Sequence, residues 1–170
     1  MAIQIIFCME TNKKADTDSI YISETLRYLY RLDNQIKISK IYMRTKSKYN
    51  SRNVLQEINA KTKTFNFGDT KVIYCIDTDD YERNTEHEKE LTDISRFCKE
   101  HGYDLIWFCH DVEEVFLGQK VSDSQKVQEA GTFRRKRKIE EIPHNLLSSD
   151  VKRIHTSNIL TVLDKYLLRK

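Results

Sequence analysis

Lys71-Val72-Ile73-Tyr74-Cys75-Ile76, followed at once by Asp77-Thr78-Asp79-Asp80, is the stretch on which the fold turns. A run this short and almost wholly apolar suits a central strand covered on both faces. Ile3-Gln4-Ile5-Ile6-Phe7-Cys8-Met9 has the same character, and so does 104–109 (DLIWFC). Residues 36–43 (IKISKIYM) alternate instead, as expected of a strand with one wet face. The first and third strands are therefore expected to be parallel neighbours near the centre, with the second nearer an edge.

Helical spacing fills the intervals. Residues 20–32 repeat Ile22, Leu26, Leu29 and Tyr30, with Asp18 or Ser19 as cap. Residues 51–60 carry Val54, Leu55 and Ile58. Residues 86–101 carry Leu91, Ile94 and Cys98, with Thr85 and Glu88 at capping-box spacing and Gly102 as the left-handed stop. A short helix is predicted over 111–117, ending at Gly118. Strands alternating with helices favour parallel pairing. The fold class predicted is a three-layer α/β domain on a mostly parallel sheet, with the core in 1–118 and a helical extension, 119–170, packed on the same domain. Within that extension, the polar residues 119–131 read as a loop and 157–168 as a last helix, with Pro143 separating two shorter ones.

Composition narrows the class. The chain has 170 residues, enough for one domain with a sizeable core. No apolar run approaches the ~18 residues of a membrane span. The N-terminus lacks a basic region and a cleavage site, so the expected address is the cytoplasm. Cys8, Cys75, Cys98 and Cys109 form no CxxC pair and read as free, buried thiols, with no zinc-ligand spacing. No GxGxxG, P-loop or nucleophile-elbow pattern occurs. Net charge is +3, unevenly spread. Glu57 is the one acid between Lys37 and Lys63, acids dominate from Asp69 to Asp93, and a basic run follows at Arg134, Arg135, Lys136, Arg137 and Lys138.

The acids fall where chemistry belongs in such a sheet. Glu10 ends the first strand, Asp77 and Asp79 follow the third, and Glu113 and Glu114 follow the fourth. Loops after parallel strands share one edge, the usual ligand crevice. Mg²⁺ binds hard oxygens at about 2.1 Å, and an extended Asp77-Thr78-Asp79 would point both carboxylates the same way. His110 beside Asp111 reads either as a phosphate or proton contact or as a strand-end hydrogen bond; His155 as phosphate-facing or as part of the last helix's cap. The basic run is placed at the start of a helix, GTFRRKRKIEEI, where it opposes the helix dipole; it reads either as a segment that contacts a nucleic-acid backbone or as a solvated helix surface. Phe133 is the aromatic next to it that is available to stack on a base.

These positions resemble the Toprim fold of topoisomerases, primases and overcoming-lysogenization-defect nucleases. That family has a glutamate after the first strand, matched by Glu10, and a DxD pair, matched by Asp77-Thr78-Asp79. Within it, the chain looks most like the RloB-like proteins of phage-defence loci. Thr17-Asp18-Ser19-Ile20-Tyr21-Ile22 stands where that group has Thr-Glu-x-x-Tyr-Phe, and Cys109 to Leu117 where it has its later glutamate segment. Either Glu113 or Glu114 matches that glutamate, and the spacing from the strand end favours Glu113. Thr11 replaces the usual glycine, residues Asn12–Asp16 are inserted, and the Asn-Pro pair is absent. The resemblance implies a nuclease using Mg²⁺ or Mn²⁺ at Glu10, Asp77 and Asp79, with Glu113 as a fourth catalytic acid. It also implies a nucleic-acid partner, for which the charge of residues 134–138 offers a contact, with a protein of a defence system as a further partner. The rival readings are a non-catalytic interaction or regulatory protein on the same core, and a receiver- or flavodoxin-like module that binds metal for switching.

Overall fold

A computed structural model describes all residues, Met1–Lys170. Four strands, β1 (Ala2–Met9), β2 (Ile36–Tyr42), β3 (Gly68–Asp77) and β4 (Asp104–Phe108), form one sheet in the order β2-β1-β3-β4. Every neighbouring pair is parallel. The two most apolar N-terminal runs are thus adjacent at the centre, and the alternating one lies at an edge. Seven helices complete the chain: α1 (Asp18–Leu29), α2 (Arg52–Thr64), α3 (Thr85–His101), α4 (Val112–Leu117), α5 (Lys126–Arg135), α6 (His144–Leu147) and α7 (Ile159–Leu163).

The two-residue period of the strands sorts their side chains between two cores. Ile5, Phe7, Met9, Ile73, Cys75, Ile106 and Phe108 face the larger one, with α1, α4, α5 and α7. Ile6, Cys8, Ile41, Val72, Tyr74 and Ile76 face the other, with α2 and α3. The result is three layers, with the sheet in the middle. Gln4 is fully buried among them. Its amide donates to the Lys61 carbonyl and Thr70 Oγ1, each at 3.1 Å, and its oxygen accepts from Ser39 at 3.2 Å, so this buried polar group is satisfied. The outer edge of β4 is covered by residues 156–158, through an isolated antiparallel bridge between Phe108 and Ser157 and through the Asn158 side chain. Trp107 N–H donates to Asn158 Oδ1 at 2.9 Å, and Asn158 Nδ2 donates to the Leu105 carbonyl at 2.9 Å.

Several local expectations change. Thr17 precedes α1 without a side-chain cap, and Ser19 Oγ donates back to the Asp16 carbonyl. Asn84, not Thr85, caps α3, accepting from the N–H groups of Glu86 and His87. The last helix is shorter than 157–168, because Ser157 and Asn158 are engaged by β4. Residues 119–131 are not all loop, since α5 begins at Lys126. The basic run therefore sits at the C-terminal end of α5, where positive charge complements the helix dipole rather than opposing it. Phe133 is fully buried, edge-on to Tyr21 and Phe116, and is not available to a base. The four cysteines are free and buried. No helix is long and apolar enough to cross a membrane.

Candidate functional site: an acid-rich end of the sheet

All strands point their C-terminal ends the same way, and the chemistry-bearing residues collect there. Glu10, just past β1, accepts the Asp77 N–H at the end of β3 through Oε1, at 2.6 Å. Asp77 Oδ1 in turn accepts the N–H of Val112, the first residue of α4, at 3.1 Å. One carboxylate thus ties β1 to β3, and the next ties β3 to α4. Asp18 at the start of α1 and Asp111 at the cap of α4 crowd the same place.

The electrostatics record the crowding. Burial, reinforced by Asp18 and Asp79 and opposed by Lys46 and the Asp77 N–H, pushes Glu10 up to about 8. Burial and then Glu113 push Asp18 up to about 7, against Lys126. Asp77 is raised well above the carboxylate range by burial and by Glu10, Asp18, Asp111 and Glu113. Glu113 is fully buried, with Lys126 Nζ 3.4 Å from Oε2, and neither of its oxygens accepts a hydrogen bond. Burial raises its pKa, with Lys126 opposing.

Asp79 behaves differently from Asp77. Its backbone is left-handed (φ 51°), so the pair is not extended and the two carboxylates do not project in parallel. Asp79 Oδ2 is ion-paired with Lys46 Nζ, which also donates to the Asp77 carbonyl at 2.8 Å. Lys46, from a 3₁₀ turn after β2, is the internal cation of this acid group.

Beside these acids opens a cleft of about 920 Å³, lined by Asp79, Glu82, His110, Asp111, Glu114 and His155 among others. His110 is also left-handed (φ 63°). Its Nδ1 lies 3.0 Å from Glu114 Oε2 and its Nε2 3.1 Å from Glu82 Oε1. Burial lowers its pKa, and these two carboxylates more than offset that, so the net shift is upward. His155 donates Nδ1–H to the Glu114 carbonyl at 2.9 Å. Glu82, Cys109 and His110 bring a carboxylate oxygen, a thiol and a ring nitrogen within 4.8 Å of one another, a group able to coordinate a metal ion.

Of the residues singled out in the sequence, Glu10, Asp77 and Glu113 share the acid group, and Asp79 borders it through Lys46. Glu114 turns away to His110. Arg134 and Arg137 are committed to ion pairs, with Glu24 at 3.2 Å and with Glu140; Arg135, Lys136 and Lys138 form none. The sequence reading missed Asp18, Lys46, Asp111 and Lys126. The rule that located Glu10, that strand ends share an edge, finds three of them when it is extended to helix starts and to the loop after β2. Lys126 carried no signal, because its segment read as loop.

No protein-family model, curated protein or solved structure matches this chain.

Proposed function

We propose that this chain is a Toprim-like domain, akin to the RloB-like group, that cleaves phosphodiester bonds of nucleic acid with Mg²⁺ or Mn²⁺. The observation that carries the reading is the meeting of Glu10 and Asp77 across adjacent parallel strands, with Glu113 buried beside them and short of hydrogen bonds. Carboxylates packed this closely repel one another, and a divalent cation would relieve that. The donors are all hard oxygens, which suits Mg²⁺ or Mn²⁺ rather than a thiophilic ion. Glu10, Asp77 and Asp79 would hold it, with Glu113 as the fourth acid.

Bound there, the metal would supply Lewis-acid stabilisation of the phosphate and an activated water. The chain's own residues do the rest. Glu10 Oε1 is fixed by the Asp77 N–H, which leaves Oε2 as its free oxygen for the ion. Lys46 fixes Asp79, and Lys126 balances Glu113. Arg135, Lys136 and Lys138, without ion pairs, are free to meet the nucleic-acid backbone.

The test incubates the protein with plasmid, single-stranded DNA and RNA under Mg²⁺, Mn²⁺ or EDTA. Cleavage should need metal and disappear in Glu10→Gln, which keeps the acceptor for the Asp77 N–H. Cleavage that survives Glu10→Gln, or that proceeds in EDTA, overturns the reading. The order β2-β1-β3-β4 favours a second one, because flavodoxin- and receiver-like sheets begin with that order and hold their ligand at the switch between β1 and β3. Calorimetric Mg²⁺ binding with no cleavage of any substrate would select this non-catalytic alternative.

A further inference from the structure

We propose a second metal site, for a thiophilic divalent ion with Zn²⁺ foremost, formed by Glu82 and His110 at the wall of the cleft together with Cys109, which is buried next to them. It is separate from the acid group around Glu10 and independent of any nuclease activity.

The three ligands come from two neighbouring strand ends. Glu82 lies in the turn after β3, and Cys109 and His110 follow β4. The backbones are fastened together there: Asp79 N–H donates to the His110 carbonyl at 2.9 Å, and His110 N–H donates to Thr78 Oγ1 at 2.8 Å. The backbone of Cys109 and His110 is therefore held in place, and the exposed Glu82 already reaches His110 Nε2. Tetrahedral zinc, with bonds of about 2.0–2.3 Å, sets its ligand atoms about 3.5 Å apart. Glu82 Oε1 already lies 3.1 Å from His110 Nε2 and all three atoms lie within 4.8 Å, so side-chain adjustments of roughly an ångström that draw this pair and Cys109 Sγ together close the site.

The ligand set argues for the ion. A thiolate with an imidazole selects Zn²⁺ or a similar metal over Mg²⁺. The supporting residues argue for a ligating histidine. Metal-bound imidazoles donate their other N–H to a carboxylate, and Glu114 Oε2 sits 3.0 Å from His110 Nδ1 for that purpose. Glu114 is itself buried, oriented by the Asp111 cap on its N–H at 2.8 Å and by His155 on its carbonyl. Its second oxygen, Oε1, is buried without a hydrogen bond, 4.0 Å from Lys120 Nζ. Binding would displace the proton of the Cys109 thiol and the Nε2 proton that His110 directs at Glu82, releasing both to solvent. Three protein ligands leave the fourth position to water or to a molecule in the cleft, the arrangement of zinc sites that keep an open position.

The test strips the protein with chelator and titrates it with Co²⁺, then with Zn²⁺ in competition. A thiolate-to-cobalt charge-transfer band should appear and saturate at one equivalent of Co²⁺ in that site, and Zn²⁺ should abolish the band. Cys109→Ser should lose the band while still binding weakly. Glu82→Gln, at an exposed position that does not threaten the fold, should weaken binding at least tenfold. Asp77→Asn, which alters the other acid group, should leave the band and the Co²⁺ concentration at which it half-saturates unchanged. Absence of the band in folded wild-type protein overturns the site. So does Co²⁺ affinity indifferent to Glu82→Gln, or a band lost in Asp77→Asn and kept in Cys109→Ser.

Discussion

Lys46 is the residue whose role departs furthest from its setting in the sequence. It belongs to a basic stretch that reads as a solvated flank, yet its side chain is 9% exposed and paired with Asp79 between two strand ends. Glu10 and Asp77 were legible, because a carboxylate directly after a buried strand has few other reasons to be there. Lys46 was not, because nothing local distinguishes a lysine that snorkels outward from one that turns in. Its removal leaves Asp79 and Glu10 without their nearest cation. Breaking a fully buried pair costs about 3–5 kcal/mol, and Asp79, 43% exposed, keeps the loss below that range. Lys46→Met should therefore lower the denaturant midpoint in EDTA with an unchanged slope, and saturating Mg²⁺ should restore part of the loss. A variant as stable as wild type in EDTA would show that Lys46 is not the counter-charge of this group.

At the scale of the element, α5 joins the two charged regions. Lys126 at its start meets Glu113, and Arg134 near its end lies about 12 Å further along the axis. The helix was illegible because its apolar signal is thin. Only Ala130 and Phe133 are buried, Val127 is exposed, and Gly131 weakens the helical pattern. The strands, by contrast, were readable to within a few residues, because continuous burial on two faces leaves an unbroken apolar run. With the basic run at the helix C-terminus, its residues separate by role. Arg134→Ala should cost under ~1 kcal/mol through the half-exposed Glu24 pair. Replacing Arg135, Lys136 and Lys138 by glutamine should leave stability near wild type, weaken duplex DNA binding for all sequences alike, and reduce the salt slope by about 0.9 per lost phosphate contact. Fluorescence anisotropy across a salt series measures this, and an unchanged slope would remove these residues from the interface.

For the whole molecule, the acid group makes stability depend on pH in the direction opposite to ordinary acid denaturation. Glu10 rises from 4.5 to about 8 and Asp18 from 3.8 to about 7. Each holds its proton more tightly folded than unfolded, so its contribution is complete below the unfolded value and fades as pH climbs through the folded one. Asp80, Asp93 and Asp164 are shifted the other way, and their contributions disappear only below about pH 4. In EDTA the melting temperature should fall as pH rises from about 5 to 8, and Mg²⁺ should flatten the decline. A melting temperature rising across that interval would mean the acids ionise freely. The same end of the molecule concentrates backbone strain. Of the five non-glycine residues with positive φ, Arg44, Asp79, His110 and His155 stand at or beside the strand ends, and Arg137 alone lies elsewhere. Each left-handed side chain costs about 1 kcal/mol or more relative to glycine. The room this protein has to become hardier thus coincides with its chemistry, and laboratory evolution that rewarded heat resistance alone would erode the cleft first.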